Sequence, residues 1–372
     1  MKQDKITLTR QSLALLLLAT LTACESTDLP IQHADSYDYI TFSAQAERLA
    51  TRTNPYESYD SNKHPQTMGV FGYYDSDKPI FNNDKVTYSG TSWNYAPPKK
   101  WDDYKGAKTF DFFAYMPQVA DAKVTQNTDG TYTLSFPFKI SETGDAPLFY
   151  DVRQAPIICN EPVHRQATDA SGKELAFERL VNFQFDQTMT AYQLWFQLDN
   201  KMSAIRQFRI KSVTLSGKLA TSCTVSRTYS LQEGGQEWTA GDIQWKDIQY
   251  TTFDTNDTKP FEISNKGDNG KEELVVTSSK FSPWGSTFYT IPDASFQPTI
   301  SVTYDTEFLD QDGKTVVTRK DVTSTIVLNK NNFNTLATNK TAIINPIRIL
   351  IQPHYLYVLA DDDAYTGHLL IE

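Results

Sequence analysis

The sequence predicts an all-β protein of two tandem β-sandwich domains, and three observations point there. Aromatic residues make up 13% of its 372 residues, with 20 Tyr and 21 Phe, and such side chains favour half-buried pleated surfaces. Short apolar runs alternate with Gly-, Asn- and Asp-rich turns along most of the length. No run keeps a helical period for more than about three turns. A chain of this length is more than twice the usual single domain, so two sandwiches are expected. No short internal period is present, which argues against propellers and solenoids.

Taken in order, Tyr39–Gln45 alternates, with Ile40, Phe42 and Ala44 on one face, and reads as the first strand. Ala46 to His64 is rich in Asn, Ser, Asp and Arg and reads as an exposed loop. Gly69–Tyr74 is a strand, Phe81–Asp84 a turn, and Thr109–Met116 another apolar strand. Asp129-Gly130 is a hairpin turn between Lys123–Gln126 and Tyr132–Phe138, because Asp-Gly accepts the positive φ that such turns need. Val181–Phe185, Tyr192–Leu198, Ile205–Leu215 and Val225–Leu231 follow as separate strands, then Leu274–Thr277 and Thr287–Ile291. Asp312-Gly313 joins Ile300–Phe308 to Thr315–Val322, and Thr323–Leu328 and Ile347–Ile351 complete the series. Glu161 to Glu178 is the most polar mid-chain stretch, which sets a domain boundary near 176. The domains are then 39–176 and 177–372.

Lys2, Lys5 and Arg10 precede the apolar Leu13–Thr20, too short to span a bilayer, so 1–23 reads as a signal peptide. Leu21-Thr22-Ala23-Cys24 is similar to a bacterial lipobox, in which Cys24 takes lipid and becomes the first mature residue. Two or more acyl chains give stable attachment to a membrane. Residues 24–38 form a polar tether. Losing 1–23 removes three basic and one acidic residue and takes the formal charge from −10 to −12. Such a chain offers no basic face for nucleic acid.

The sequence offers little for catalysis or cofactors. No GxSxG, Walker A, GxGxxG or HExxH phrase occurs, and the five His are dispersed, so neither enzyme activity, a cofactor nor a metal is expected. Asp361-Asp362-Asp363 reads as a solvated turn rather than a Ca²⁺ loop. Cys159 and Cys223 are the remaining thiols of the exported chain. They are either bridged or two buried free thiols.

The lipobox, Ile40-Thr41-Phe42 followed by Thr51-Arg52, Gly69-Val70-Phe71-Gly72-Tyr73-Tyr74, Trp93-Asn94-Tyr95 with Trp101, Phe110–Pro117 and Val181–Phe185 occur in this order. Together they resemble the fimbrillin family of Bacteroidales, the pilins and pilus-associated lipoproteins of type V pili. Two phrases depart from the family's pattern: Asp186–Met189 after the central Phe strand, and Asn332–Thr335 near the C-terminus. The resemblance implies transthyretin-like sandwiches, export to the outer-membrane surface, and partnership with other pilin subunits, with a host or bacterial surface receptor as a further partner. It also implies that an Arg-specific protease removes the first strand, so that a strand of the next subunit fills the groove. Here the cut would follow Arg52, or Arg48 as second choice, and remove Ile40, Phe42 and Ala44. The alternative is that both Arg are ordinary solvated loop residues. Ile347, Ile349 and Ile351 are candidates for the donor strand, or else form a plain core strand of the second sandwich.

A different class of function is also open. Trp93, Trp101, Trp238, Trp245 and Trp284 could stack sugars on the surface of a glycan-binding lipoprotein of a polysaccharide uptake system. Coplanar exposed rings would favour that reading, and buried rings with a groove beneath the first strand would favour the pilin.

Overall fold

The computed structural model describes residues 38–371 apart from 48–55, 143–145, 233–237, 255–259, 266–272, 294–296, 329–343 and 353–367. Among the described residues the regular structure is strand, with short 3-10 turns and no α-helix. The strands are β1 (Thr41–Glu47), β2 (Tyr56–Ser58), β3 (Thr67–Tyr74), β4 (Lys78–Tyr88), β5 (Trp93–Asn94), β6 (Thr109–Met116), β7 (Lys123–Gln126) and β8 (Tyr132–Lys139). Then come β9 (Ile157–Cys159), β10 (Val163–Gln166), β11 (Leu180–Gln187), β12 (Thr190–Leu198), β13 (Arg206–Leu231), β14 (Trp238–Ala240) and β15 (Gln244–Phe253). The chain finishes with β16 (Phe261–Glu262), β17 (Leu274–Val276), β18 (Ser282–Thr290), β19 (Thr299–Leu309), β20 (Thr315–Val327), β21 (Ile344–Gln352) and β22 (His368–Ile371).

One sheet runs β2-β1-β11-β9-β6-β3-β4-β5, with β10 on β6. A second, of four strands, runs β18-β12-β21-β22. The third runs β20-β19-β13-β8-β7, and β14 to β17 also pair with β13. Two hydrophobic clusters result. The first fills the space between the first sheet and the second half of β13 with β8, where Tyr115 stacks on Phe136 (centroids 4.5 Å) and Phe113 meets Tyr229 (5.7 Å). The second lies between the four-stranded sheet and the first half of β13 with β19.

β13 is the largest departure from the sequence reading, since 205–215 and 225–231 belong to one strand of 26 residues. Its N-terminal half pairs with β19, β17 and β16, and its C-terminal half with β15, β8 and β14. The residues from 216 to 224, left unassigned between the two expected strands, continue the same extended backbone. The expected boundary at 176 falls within the span of the first cluster. β11 and the second half of β13 contribute Val181, Phe183, Phe185, Val225 and Tyr229 to the first cluster, so that core continues well past 176.

Three smaller corrections follow. Phe81–Asp84 is not a turn but lies inside β4, with Phe81 fully buried; the chain reverses instead at Asp75 and Ser76, both at positive φ. The Asn-Asn-Asp phrase marks a register shift, with Asn83 at φ 60°. The polar stretch from Glu161 contains β10, which pairs with β6 from Val163 to Gln166. Residues 315–322 and 323–328 merge into β20. Both Asp-Gly hairpins form where expected, joining β7 to β8 and β19 to β20. Gly69 and Gly72 of β3 are needed for close approach: a Cβ would lie 2.4 Å from the Tyr115 ring at the first and 2.8 Å from Phe112 at the second.

Candidate functional site

β1 forms a seam. Ile40 (0% exposed), Phe42 (6%), Ala44 (9%) and Ala46 (0%) all point into the first cluster, while the residues between them are half-buried. The alternation expected from sequence holds, extended by Ala46, which the earlier end at Gln45 had excluded. On one flank β1 pairs in parallel with β11, from Thr41↔Leu180 to Ala46↔Phe185. Its other flank carries three residues of β2 and isolated bonds. Tyr59 N–H donates to the Ala44 carbonyl (3.3 Å), Ile40 N–H to the Lys99 carbonyl (2.9 Å), and Tyr95 hydroxyl to the Ile40 carbonyl (2.8 Å). Lys99 and Tyr95 follow β5, at the opposite end of the sheet order. The sheet therefore curls until its ends meet at β1.

Phe42 is the residue that plugs this seam. Its ring lies 5.4 Å from Phe81, 5.6 Å from Tyr95, 6.5 Å from Phe112 and 6.1 Å from Phe183, centroid to centroid. These walls come from β4, β6, β11 and the segment after β5. Lifting β1 out would leave a groove lined by those four rings and an unpaired edge on β11. Each apolar side chain returned to the groove is worth about 1.5–3 kcal/mol, and the open edge offers a ladder of backbone groups. None of the walls was legible as part of a site. Phe183 is 141 residues from Phe42, and no local pattern encodes that distance.

The C-terminal end of β1 rests on a charged cluster. The Glu47 carboxylate accepts Gln187 N–H (3.3 Å), while Asp186 accepts the Tyr56 hydroxyl (2.6 Å) and Arg227 Nη1 (2.6 Å). Burial first, then the neighbouring Asp186 carboxylate, raises the Glu47 carboxyl above its ordinary range. A group raised in the folded state stabilises it at acid pH and loses that contribution as pH rises through the folded value. The Glu47 carboxyl therefore contributes less to stability once pH has risen through its folded value than it does in acid. Arg48 and Arg52 come next in the chain, between β1 and β2, and lie outside the described residues, as do Cys24 and Asp361–Asp363.

His64, expected on an exposed loop, is instead 3% exposed beneath Tyr59 (ring centroids 5.9 Å). Burial lowers its ring to about 4 from 6.5, against the opposite pull of Glu57 and Asp60. The unfolded chain therefore takes up a proton that the native state refuses as pH falls from 6.5 towards 4. Stability should be unaffected by this group above pH 6.5 and fall by about 3 kcal/mol across that window. Urea midpoints measured across that range should show the slope in the wild type and lose most of it in His64→Phe.

The two thiols are free and buried in this structure. Cys159 Sγ lies 3.2 Å from the Tyr229 hydroxyl, and burial pushes the Cys223 thiol up to about 12. Trp93, Trp101, Trp238 and Trp284 are buried, and half-buried Trp245 donates its Nε1–H to the Thr188 carbonyl. These rings pack inside the two clusters or against them and form no exposed coplanar face. Ile347, Ile349 and Ile351 lie in β21, between β12 and β22, and are at most 1% exposed in the second cluster. In this fold they form a core strand of their own chain, so the donor-strand alternative has no support from their position.

No family model matches the chain, and no curated protein matches it. Among solved structures it is similar to a fimbrial protein from Bacteroides vulgatus (14% identity, 90% of this chain and 99% of that one, TM-score 0.48). It is also similar to a fimbrial protein from Bacteroides ovatus (11% identity, 84% of this chain and 48% of that one, TM-score 0.33). A third is a candidate cell adhesion protein from Parabacteroides distasonis (9% identity, 88% and 99% covered, TM-score 0.39).

Proposed function

We propose that this chain is a cell-surface pilus subunit of the fimbrial, adhesive kind, non-enzymatic, that polymerises by exchanging its first strand. The observation that carries the reading is the seam: one strand with a continuous apolar face closes an aromatic groove and is paired along its length on one side only. The subunit is exported as a lipoprotein through Cys24, held at the outer membrane, and cut after Arg52 or Arg48. Cleavage there separates β1 covalently from β2 and the rest of the fold. A strand from the next subunit then occupies the groove by β-augmentation, and other pilin subunits are the partners. Each half is read as a transthyretin-like sandwich. The surface glycan-binding alternative loses the exposed aromatic platform that would have supported it.

The test is limited digestion of the mature chain with an Arg-specific protease. Cleavage after Arg52 or Arg48 followed by a ladder of higher-order species is the expected result, and Arg48→Ala/Arg52→Ala should stay monomeric with at least wild-type stability, because its own strand remains tethered. A ladder formed equally by the double variant would refute the cleavage step. For the anchor, Cys24→Ala should abolish incorporation of labelled fatty acid and leave 1–23 attached. Continued labelling would rule out Cys24 as the acceptor.

A further inference from the structure

The seam holds main chain as well as side chains. Every second residue of a strand turns its N–H and C=O to the same edge, with the N–H first along the chain. At Ile40 both groups of the outer edge are met together. Its N–H donates to the Lys99 carbonyl (2.9 Å), and its carbonyl accepts the Tyr95 hydroxyl (2.8 Å). The Tyr95 oxygen accepts Lys99 N–H in turn (3.3 Å) and lies farther from the Lys99 carbonyl (3.4 Å), so its single proton goes to Ile40. Burial pushes that hydroxyl up to about 12, which keeps it a donor at physiological pH. The clamp is itself anchored. Lys99 Nζ bonds to the Asp84 carboxylate and the Ile80 carbonyl and lies 4.0 Å from the centre of the Phe81 ring. The Tyr95 ring packs on Phe81 (5.2 Å) and on Phe42 (5.6 Å). Beside it, Tyr39 and Lys100 form an antiparallel bridge.

From this arrangement we propose that the groove selects the direction of the strand that fills it, and that Lys99 and Tyr95 make the selection. The incoming strand runs as β1 does, parallel to β11 and antiparallel to Lys99–Lys100. Resting as it does on the strand-exchange reading, this gives the partner a definite chemistry. It is a strand with two large apolar residues and then two small ones at alternate positions, in the N-to-C order of Ile40, Phe42, Ala44 and Ala46. The open edge of β11 alone makes no such choice, since a sheet edge pairs with strands of either direction. The clamp does. A carbonyl can only accept. In a reversed strand the N–H and C=O change places, so a carbonyl meets the Lys99 carbonyl and the two repel. The Tyr95 hydroxyl can turn to accept an N–H, but no rotation makes the Lys99 carbonyl a donor. Lys99 therefore forbids the wrong direction, and Tyr95 adds a bond to the right one. Proline at the position of Ile40 is excluded on the same ground, because it has no N–H to give.

The experiment uses the mature chain with a foreign protease site inserted between Arg52 and Thr53, cut so that β1 stays in place without its covalent link to β2. Fluorescent peptides then compete for the groove in urea at the foot of the unfolding transition. One spans 38–47, one is its retro-sequence, and one is 38–47 with an ester oxygen in place of Ile40 N–H. Laid down backwards, the retro-sequence returns the same side chains to the same pockets, so the comparison isolates backbone direction. The 38–47 peptide should displace the resident strand, and the retro-sequence and the ester should each bind about ten-fold or more weakly. Tyr95→Phe should weaken 38–47 several-fold and the retro-sequence little, which narrows the gap between them. Its thermal midpoint checks its fold, and the ester peptide needs no change in the protein. Equal weakening of both peptides by Tyr95→Phe would overturn the part given to Tyr95. Binding of 38–47, its ester and its retro-sequence within about two-fold of one another overturns the selection of direction and leaves strand exchange standing. Failure of every peptide to enter, 38–47 included, refutes strand exchange itself and the selection with it.

Discussion

Replacing Ile349 with aspartate is expected to collapse the half of the protein built round β12 and β21. Ile349 is fully buried, sits opposite Phe196 across a parallel pair, and is flanked by Ile347 and Ile351 on the same face. Losing the apolar side chain costs about 2–5 kcal/mol, and an unpaired buried charge adds several more. The total rivals the whole stability of a typical domain, about 5–15 kcal/mol. A thermal melt followed by near-UV circular dichroism should show the midpoint fall steeply, or the second cluster unfolded at ambient temperature. An unchanged midpoint would instead mean that β21 contributes little to its own chain, as a strand free to be donated would.

The second large effect concerns β1. A chain beginning at Thr53 should be strongly destabilised, because it lacks Ile40, Phe42, Ala44 and Ala46, all of them buried in the intact chain. Four such groups together are worth on the order of 5–8 kcal/mol once the smaller alanines are discounted. A synthetic peptide spanning 38–47 should bind this chain and restore its midpoint, whereas the same peptide carrying Phe42→Asp should not. Rescue by both peptides would show that the aromatic groove does not read the strand. Rescue by neither, with the shortened chain fully folded, would show that β1 does not close the core.

What the sequence made legible was local. The alternation Ile40, Phe42, Ala44 declared a one-faced strand, and Asp129-Gly130 and Asp312-Gly313 declared hairpins, because each signal lies within a few residues. What escaped was set by partners far away in the chain. Parallel pairing of β1 with β11 joins residues 139 apart, and a strand's edge or centre position depends on such pairing rather than on its own composition. The Asn82-Asn83-Asp84 phrase carried the residues of a turn but serves a bulge, since both need the same backbone freedom. The seam was therefore half readable: its strand could be named, but its walls could not.

β13 has a further implication, for force. Twenty-six residues at about 3.3 Å each give an element of up to roughly 85 Å, and both hydrophobic clusters are built on it. In a chain of beads joined by a flexible linker, tension first straightens the linker and then peels the weaker bead. Here no linker separates the two cores, so a pull between them loads one covalent backbone that is already extended. To part the halves, the ladders to β8 and β15 or those to β19 and β17 must shear together rather than unzip singly. Such a subunit is a stiff rod under tension, and drawn out from both ends it should yield at a high force in one step.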